Sequence, residues 1–445
     1  MNAARVFEAL GLKRRAWVHP PGRKLATAKA IEPASLPERV VLPLQQHIGS
    51  PAQAIVKSGD DVKVGQRIAD PGPGFCSAAI HATVSGTVKQ LPEIVNPITG
   101  SPGTAVVIES DGADAWVEFE PADPETLGPE ETLTRIADAG IVGLGGAAFP
   151  THVKLRRPPE SPVHTLLVNG AECEPYITAD ERLMLEDADR IVRGVRILGR
   201  LLDVQRVWIG VEDNKPAAID RMKQAVAAAN LPGDVRVVAV PSQYPMGAEK
   251  TLLKAISGKE VPEGGFPTDI GVVVQNVATL AAIDDAVTLG KPLVERVVSV
   301  TGLVAEPKNV LARFGTTAAH LLDRAGGASP EADAIIFGGP MMGIAQAGLE
   351  APIVKSTNCV LMTRADRRIE RGCVRCGRCV EVCAMGLMPL MFVNHVKQGI
   401  IDGLLDYHVM SCVECGACSY GCPANIPIVS YIKLGKAELR KREAK

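Results

Sequence analysis

No run of eighteen apolar residues occurs in the 445-residue sequence, so no segment is expected to cross a bilayer as a helix. The opening stretch, MNAARVFEALGLKRR, lacks the apolar core of a secretory signal, which argues against an oxidising compartment and against disulfides among the eleven cysteines. Charge of neither sign dominates: 48 Lys and Arg against 50 Asp and Glu leave a formal net charge of −2, which gives no reason to expect nucleic acid as a partner. No Ser, Cys or His constellation suggests nucleophilic catalysis. These absences leave a reduced, cytoplasmic chain, soluble or peripheral to a membrane. It is long enough for about three or four domains and, at 46% hydrophobic, able to bury proper cores.

What is present is cysteine at fixed spacing. Cys373, Cys376, Cys379 and Cys383 spell C-x2-C-x2-C-x3-C, and Cys412, Cys415, Cys418 and Cys422 repeat it 39 residues later. A [4Fe–4S] cube offers four irons to thiolates, and in this bacterial spacing three ligands come from one loop while the fourth serves the other cluster. That rule assigns Cys373, Cys376, Cys379 and Cys422 to cluster one, and Cys412, Cys415, Cys418 and Cys383 to cluster two. Zinc, which usually joins C-x2-C to a distant second pair, is the alternative. The intervening MPLMFVNHVKQGIIDGLLDYHV (388–409) has apolar residues at helical spacing and predicts one helix-like segment holding the loops back to back. Arg375 and Arg378 flank the first loop and Glu414 the second, so cluster one is expected to have the higher potential; fully solvated charges of little effect are the alternative. Cys76, Cys173 and Cys359 are expected to be small buried hydrophobes. The basic tail KLGKAELRKREAK is helix-prone and expected to be solvated, with contact to an acidic partner or membrane surface as the alternative.

Towards the N-terminus, residues 56–69 and 80–88 alternate apolar and polar residues around glycine turns, in the manner of a biotinyl/lipoyl-type barrel sandwich. No lysine stands between Val64 and Val88, so a swinging-arm carrier is excluded and a docking or structural domain is expected. PADPETLGPE (121–130) reads as the linker out of it. Then, after the helix-like ETLTRIADAG, comes the turn Gly143-Leu-Gly-Gly-Ala-Ala-Phe-Pro-Thr151 with Lys154 beyond. Its glycines allow backbone N–H groups to approach a phosphate. It is neither G-x-x-x-x-G-K-[ST] nor G-x-G-x-x-G, and a plain strand-to-helix turn is the alternative. Strand candidates at 164–170, 206–211, 235–240 and 271–277 alternate with helical stretches around 180–203, 215–229 and 247–257. That is an open α/β sheet, with ligands expected beyond the carboxyl ends of its strands. Acids in the Asn169-Gly-Ala-Glu-Cys-Glu-Pro175 loop suit ribityl, ribose and amide groups, or are solvated.

G-L-G-G-A-A-F-P-T-x-x-K, N-G-A-E-C-E-P and Q-N-V-A-T-L resemble the FMN- and NADH-binding motifs of the flavoprotein subunit of respiratory complex I. With H-P-P-G-R-K at 19–24, P-L-Q-Q-H-I-G at 43–49 and the double ferredoxin motif, essentially the whole chain resembles the C subunit of bacterial Rnf (Rsx) electron-transport complexes. The related cobalamin reductases share the modules but begin with the flavin domain. The resemblance implies a multidomain α/β plus α+β fold. Its parts are a barrel-sandwich hybrid (1–125), an open α/β FMN/NADH domain (126–290), a soluble ligand-binding β-grasp module (291–360) serving as spacer between flavin and clusters, and a double [4Fe–4S] ferredoxin-like domain (361–445).

By motif, the resemblance places Gly143, Gly145, Gly146, Ala147, Phe149 and Lys154 around the FMN phosphate and its approach. It turns Asn169, Glu172 and Glu174 to the ribityl chain, isoalloxazine or nicotinamide; it lays Tyr244, Gly247 and Glu249 across the nucleotide pocket and closes the flavin site with Asn276 and Thr279. Ala248, Gln275 and Ala278 depart from the complex I pattern and leave the NADH contacts open. The implied activity is transfer of electrons from NADH through FMN and two [4Fe–4S] clusters, in either direction, to other subunits of a membrane-bound, ion-translocating complex. Those include a ferredoxin-like Fe–S subunit and, indirectly, ferredoxin. The implied place is the cytoplasmic face of the bacterial inner membrane. A cobalamin reductase and a flavin-free Fe–S adaptor are the alternatives.

Overall fold

The computed structural model describes residues 17–156 and 162–443. The opening stretch MNAARVFEALGLKRR lies outside them, as do the last two residues of the basic tail. Among the described residues no helix is long and apolar enough to cross a membrane.

Two small antiparallel sheets form the barrel-like part. In one, Pro102–Ser110 pairs with Arg39–Pro43 and Gly86–Gln90, the latter also with Asp61–Val62; the other joins Gln53–Ala54, Arg67–Asp70 and Ile80–His81. Alternation turns Val40 and Leu42 inward with Val88, Val106 and Ile108. The P-L-Q-Q-H-I-G stretch welds this part to its neighbours. His47 accepts from Ala78 N–H through Nε2 (3.1 Å), and Gln46 Oε1 accepts from the Lys355 amide (3.3 Å). Lys355 Nζ donates to Ala79 O (2.8 Å) and Gly140 O (2.7 Å). Burial pushes the Lys355 ammonium down to about 7.

Residues 17–33 leave the barrel. Val18 bridges to Tyr244, and Glu32–Pro33 adds a parallel strand to Lys308–Arg313, so the first domain is not the contiguous body expected over 1–125. The expected linker over 121–130 ends earlier too. Pro129 and Glu130 open the helix Pro129–Asp138, where proline's missing N–H costs nothing.

The central domain has four parallel strands in the order Asp234–Val240, Arg206–Glu212, Thr165–Gly170, Val272–Asn276. Their apolar runs (TLLVNG, VVVQN) are buried on both faces, as parallel strands covered by helices must be. The chain steps outward from Thr165–Gly170 and then returns to its other side, so the strand order reverses between that strand and Val272–Asn276. A crevice opens at such a switch point, beyond the carboxyl ends. The helix expected over 180–203 is two, Ala179–Glu186 and Ala188–Leu201, because Asp187 leaves helical geometry (φ −126°, ψ 28°). Gly194 lets the second lie on Val277–Asp284: a Cβ there would stand 2.1 Å from Leu280 O.

The third part is a six-stranded mixed sheet in the order Glu32–Pro33, Lys308–Arg313, Glu295–Gly302, Cys359–Thr363, Ala334–Phe337, Ile344–Ala345, with helix Ala318–Arg324 beside it. The C-terminal part has its own core, including Val380, Phe392, Leu404, Ile426 and Ile432. The helical segment expected over 388–409 is shorter: Pro389–Gln398 stops at Gly399 (φ 70°), and 3-10 turns follow. The two cysteine loops repeat in backbone as in sequence, with left-handed residues at Arg375 (φ 54°) and Glu414 (φ 56°), then Gly377 (φ 77°) and Gly416 (φ 82°).

Candidate functional site

The glycine turn lies across the switch-point crevice. Leu144 N–H donates to Thr279 Oγ1 (2.9 Å) and Gly143 N–H to Phe149 O (2.8 Å), which pins the turn at both ends. Between them Gly145, Gly146 and Ala147 are exposed, and their N–H groups have no partner among the described residues. Gly146 has φ 112° and open space where a Cβ would project. A ledge of free N–H groups is what a phosphate needs, so the residues present fit FMN there. Lys154 Nζ stands 3.0 Å from Glu249 Oε2 at the side of the turn.

On the strand side, Asn169 Nδ2 donates to Gly247 O (2.8 Å). Asn276 caps the next helix, its Oδ1 accepting from Ala278 N–H (2.9 Å) and Thr279 N–H (3.4 Å), and its Nδ2 donates to Asp180 (2.6 Å). Burial, with the nearby Glu172, holds the Asp180 carboxyl well above the usual range. Glu172 is turned onto the start of Ala179–Glu186, accepting from Asp180 N–H (2.7 Å) and Glu181 N–H (3.2 Å). Burial pushes Glu174 up to about 7, against the hydrogen bonds from Met341 N–H and the Tyr244 hydroxyl.

Two lysines hold this loop from beneath. Lys24, from H-P-P-G-R-K, donates to Glu172 O (2.8 Å), Glu174 O (2.9 Å) and Ile177 O (2.6 Å). Lys215, itself buried, donates to Ala171 O and Glu212 Oε2, both at 2.9 Å. Beside Lys24, Arg23 donates to the Tyr176 hydroxyl (2.8 Å). Burial lowers the Lys24 pKa, with Glu172 opposing.

The cysteines fall into two neighbourhoods. Cys373, Cys376, Cys379 and Cys422 line one cavity of about 540 Å³, while no three His, Cys, Asp or Glu side chains among the described residues gather closely enough for a single ion. Room of that size fits a cluster. Burial, then Cys373, Cys376 and Cys422, push the Cys379 thiol up to about 11. Cys412 is pushed up to about 12 by burial, with Cys383 and Cys415 adding to it. Backbone N–H groups of Arg375, Leu387 and Glu414 point at Cys373, Cys383 and Cys412 sulfurs, each at 3.4 Å.

Several expectations change here. Tyr244 is buried rather than laid across an open pocket; its hydroxyl donates to Cys415 O (2.5 Å) and lies 3.3 Å from Glu174. The second cysteine loop therefore touches the FMN-binding domain directly, and the third module lies beside both, Gly416 packing against Met341 O, rather than between them as a spacer. Glu414 is not a lone charge: buried Lys436 pairs with it (2.8 Å) and donates to Cys412 O (2.6 Å). That removes the premise for ranking the potentials by flanking charge and takes one lysine of the tail out of solvent. Cys359 is buried as expected, but Cys76 is half-exposed, its thiol donating to Ile48 O. Spacing singles out none of Lys24, Asp180, Lys215 and Lys436, although Lys24 ends the H-P-P-G-R-K motif.

Four domain families match the chain: the RnfC barrel sandwich hybrid domain (13–113), the Nuo51 FMN-binding domain (136–285), the SLBB domain (297–345) and the 4Fe-4S dicluster domain (372–426). The C subunit of the proton-translocating ferredoxin:NAD(+) oxidoreductase complex of Clostridium ljungdahlii is 46% identical over 434 residues, covering 96% of this chain and 94% of that one. The chain belongs to the RnfC family. Another member, the C subunit of the Na(+)-translocating ferredoxin:NAD(+) oxidoreductase complex of Acetobacterium woodii, is 40% identical over 95% of this chain and 96% of its own. Its counterpart in the ion-translocating oxidoreductase complex of Pseudomonas aeruginosa is 43% identical over 96% of this chain, which spans 55% of that longer relative. Among solved structures, a chain of an NAD+-reducing [NiFe]-hydrogenase shares the fold at TM-score 0.50 and 18% identity, over 73% of this chain and 68% of that one.

Proposed function

We propose that this protein is the NADH-oxidising peripheral subunit of an ion-translocating NADH:ferredoxin oxidoreductase, carrying electrons between NADH, FMN and two [4Fe–4S] clusters. FMN when bound accepts a hydride and releases electrons singly, which Fe–S clusters require. The chain's own residues position and tune. The N–H groups of Gly145, Gly146 and Ala147 receive the phosphate with Lys154 beside them. Asn276 and Thr279 hold the glycine turn against the sheet, Asn169 stands at the carboxyl end of its strand beside the crevice, and Glu174 is turned away from it to tie the loop to Met341 and Tyr244. Cys373, Cys376, Cys379 and Cys422 hold cluster one; Cys412, Cys415, Cys418 and Cys383 hold cluster two. The sheet over 291–360 serves as a β-grasp module. The site works at the cytoplasmic face of the inner membrane, docked to the membrane subunits of its complex.

The observation that carries this reading is the hydrogen bond from Tyr244 to Cys415 O, which joins the flavin domain to a cluster ligand. It supports a relay in which the second cysteine loop would hold the cluster nearer the flavin domain and the first, whose Cys373 and Cys376 are exposed, would hold the outer one. Iron, acid-labile sulfide and flavin analysis of an anaerobic preparation, followed by NADH addition, tests it. The expected result is two clusters and one FMN per chain, with flavin and Fe–S absorbance bleached by NADH. A bound flavin that NADH does not reduce refutes the assignment.

A further inference from the structure

The third module sets a buried cation against the glycine turn of the flavin domain. Its strand Glu295–Gly302 turns alternate side chains inward, and Val298 and Val300 at two of those positions are wholly buried. Arg296 takes the inward position before them and is only 4% exposed. Its guanidinium meets backbone oxygens alone, donating to Val297 O (3.3 Å), Lys355 O (2.6 Å) and Leu144 O (2.8 Å), and no carboxylate pairs with it among the described residues. The acids around it are engaged elsewhere. Glu295 pairs with Lys291 and Arg313, Asp180 accepts from Asn276, and Glu172 accepts from the amides of Asp180 and Glu181. Burial, with Asp180 and Glu172 opposing, brings the guanidinium down to about 10, so it stays charged at neutral pH. A buried charge is costly unless an opposite one answers it. Asp180, whose carboxyl is held well above the usual range by burial and by Glu172, answers it only in part.

Leu144 is where this charge reaches the turn. The Leu144–Gly145 peptide is trans, so its C=O and N–H point opposite ways. Arg296 holds the oxygen, and on the far side Gly145 N–H is the first of the three free donors. Leu144 N–H is tied to Thr279 Oγ1 (2.9 Å), so both polar groups of that residue are fixed. A charged donor on the oxygen also polarises the peptide and strengthens its N–H as a donor. Lys154, the cation within the motif itself, is already neutralised by Glu249 (3.0 Å). We infer that Arg296 is a positioning residue for the FMN phosphate: it aims the Leu144–Gly145 peptide and supplies, from a neighbouring module, the positive charge that the phosphate meets. The inference rests on reading the glycine turn as the phosphate site. A phosphomonoester, close to a dianion at neutral pH, answers a guanidinium that was buried without an acid. The third module is thereby part of the flavin site, and riboflavin, which lacks the phosphate, gains nothing from it.

The test uses the full chain with its clusters in place and its flavin removed, and reads the Kd for FMN and for riboflavin from quenching of flavin fluorescence. Wild type should hold FMN about a hundredfold more tightly than riboflavin, since several donors to a charged group are at stake. Arg296→Gln keeps an N–H donor for Leu144 O and drops the charge. It should weaken FMN about thirtyfold, the usual worth of one hydrogen bond involving a charged group, and riboflavin less than threefold. Arg296→Lys keeps the charge and drops the fork, and should lie between, about three- to tenfold weaker than wild type for FMN. A role confined to packing the third module predicts that both flavins weaken alike, or that the Lys variant fares no better than the Gln variant; either result overturns the inference. So does Arg296→Gln binding FMN like wild type. If Arg296→Gln does not fold, Arg296→Lys decides: its expected loss for FMN with riboflavin unchanged supports the inference, and any other pattern overturns it. Those outcomes leave the phosphate reading of the turn standing. Wild type that binds riboflavin as tightly as FMN overturns that reading, and the role of Arg296 with it.

Discussion

Replacing Lys24 by methionine keeps the length of the side chain and removes the ammonium on which the Asn169–Thr178 loop rests. Three carbonyl oxygens, of Glu172, Glu174 and Ile177, lose donors at 2.6–2.9 Å. Hydrogen bonds to a charged group contribute about 1.5–3 kcal/mol each, so three would sum to roughly 4–9. The burial that lowers the Lys24 pKa is a cost the ammonium already bears, and removing it offsets part of the loss. A net cost of about 3 kcal/mol is expected, in line with removing one partner from a shielded polar network. In a multidomain chain that cost does not register as one global unfolding energy; it is spent on ordering the loop. At about 1.4 kcal/mol per decade, amide-exchange protection over 170–178 should fall about a hundredfold and the Kd for FMN should rise by a similar factor. Iron and sulfide content should not change, because Lys24 touches no cysteine loop. Lys24→Arg should recover part of the effect, since a guanidinium keeps the charge but cannot place one nitrogen among three carbonyls. If Lys24→Met keeps both loop protection and FMN affinity within threefold of wild type, the clamp is not holding the loop and the reasoning fails.

Lys355 makes stability depend on pH. Its folded pKa of about 7 lies below its ordinary 10.5, so between those values the unfolded chain holds a proton that the folded chain lacks, and stability rises with pH. Relative to Lys355→Met, wild type should gain roughly 3 kcal/mol of local protection from pH 7 to 9.5, read as the difference in amide-exchange protection around Ala79 and Gly140; a relative loss contradicts the burial argument. The crossed ligand sets predict that Cys422→Ala and Cys373→Ala abolish the same electron paramagnetic resonance signal, while Cys383→Ala and Cys412→Ala abolish the other. Pairing of Cys422 with Cys412 instead would refute the crossing. Lys436→Met, which unpairs Glu414 beside Cys412, should lower the cluster-two potential by roughly 40 mV, about 1 kcal/mol for one electron. A rise in a redox titration would count against it.

What could be read in the sequence was short-range. The cysteine quartets declare themselves because a cluster takes three ligands from a single loop, and the glycine turn because free N–H groups need residues without side chains in the way. The apolar strand runs likewise announce the parallel sheet and its open carboxyl ends. Partnerships across long stretches of chain were not legible. Lys24 meets Glu172 148 residues away, and Tyr244 meets Cys415 171 residues away; the motifs that contain them name neither partner. Glu414 shows how charge counting fails for the same reason, since its partner Lys436 lies 22 residues on, in the helix Ile428–Glu443. Helix ends were misplaced where one residue leaves helical geometry: Gly399 is a stop that composition announces, whereas Asp187 is not.

The strand Glu32–Pro33 has a consequence for how the molecule is made. It closes a sheet whose neighbouring strand begins at Lys308, 276 residues later. Chains emerge at about 5–20 residues per second, so this strand waits on the order of 14–55 s for its partner while the barrel and the flavin domain fold between them. The sheet is the last of these units to close. The arm bearing Lys24 meets its own partners sooner, since Tyr244, Glu172, Glu174 and Ile177 all precede Lys308 in the chain, so a chain cut short before Lys308 would keep its loop clamp and lose only the sheet's edge strand.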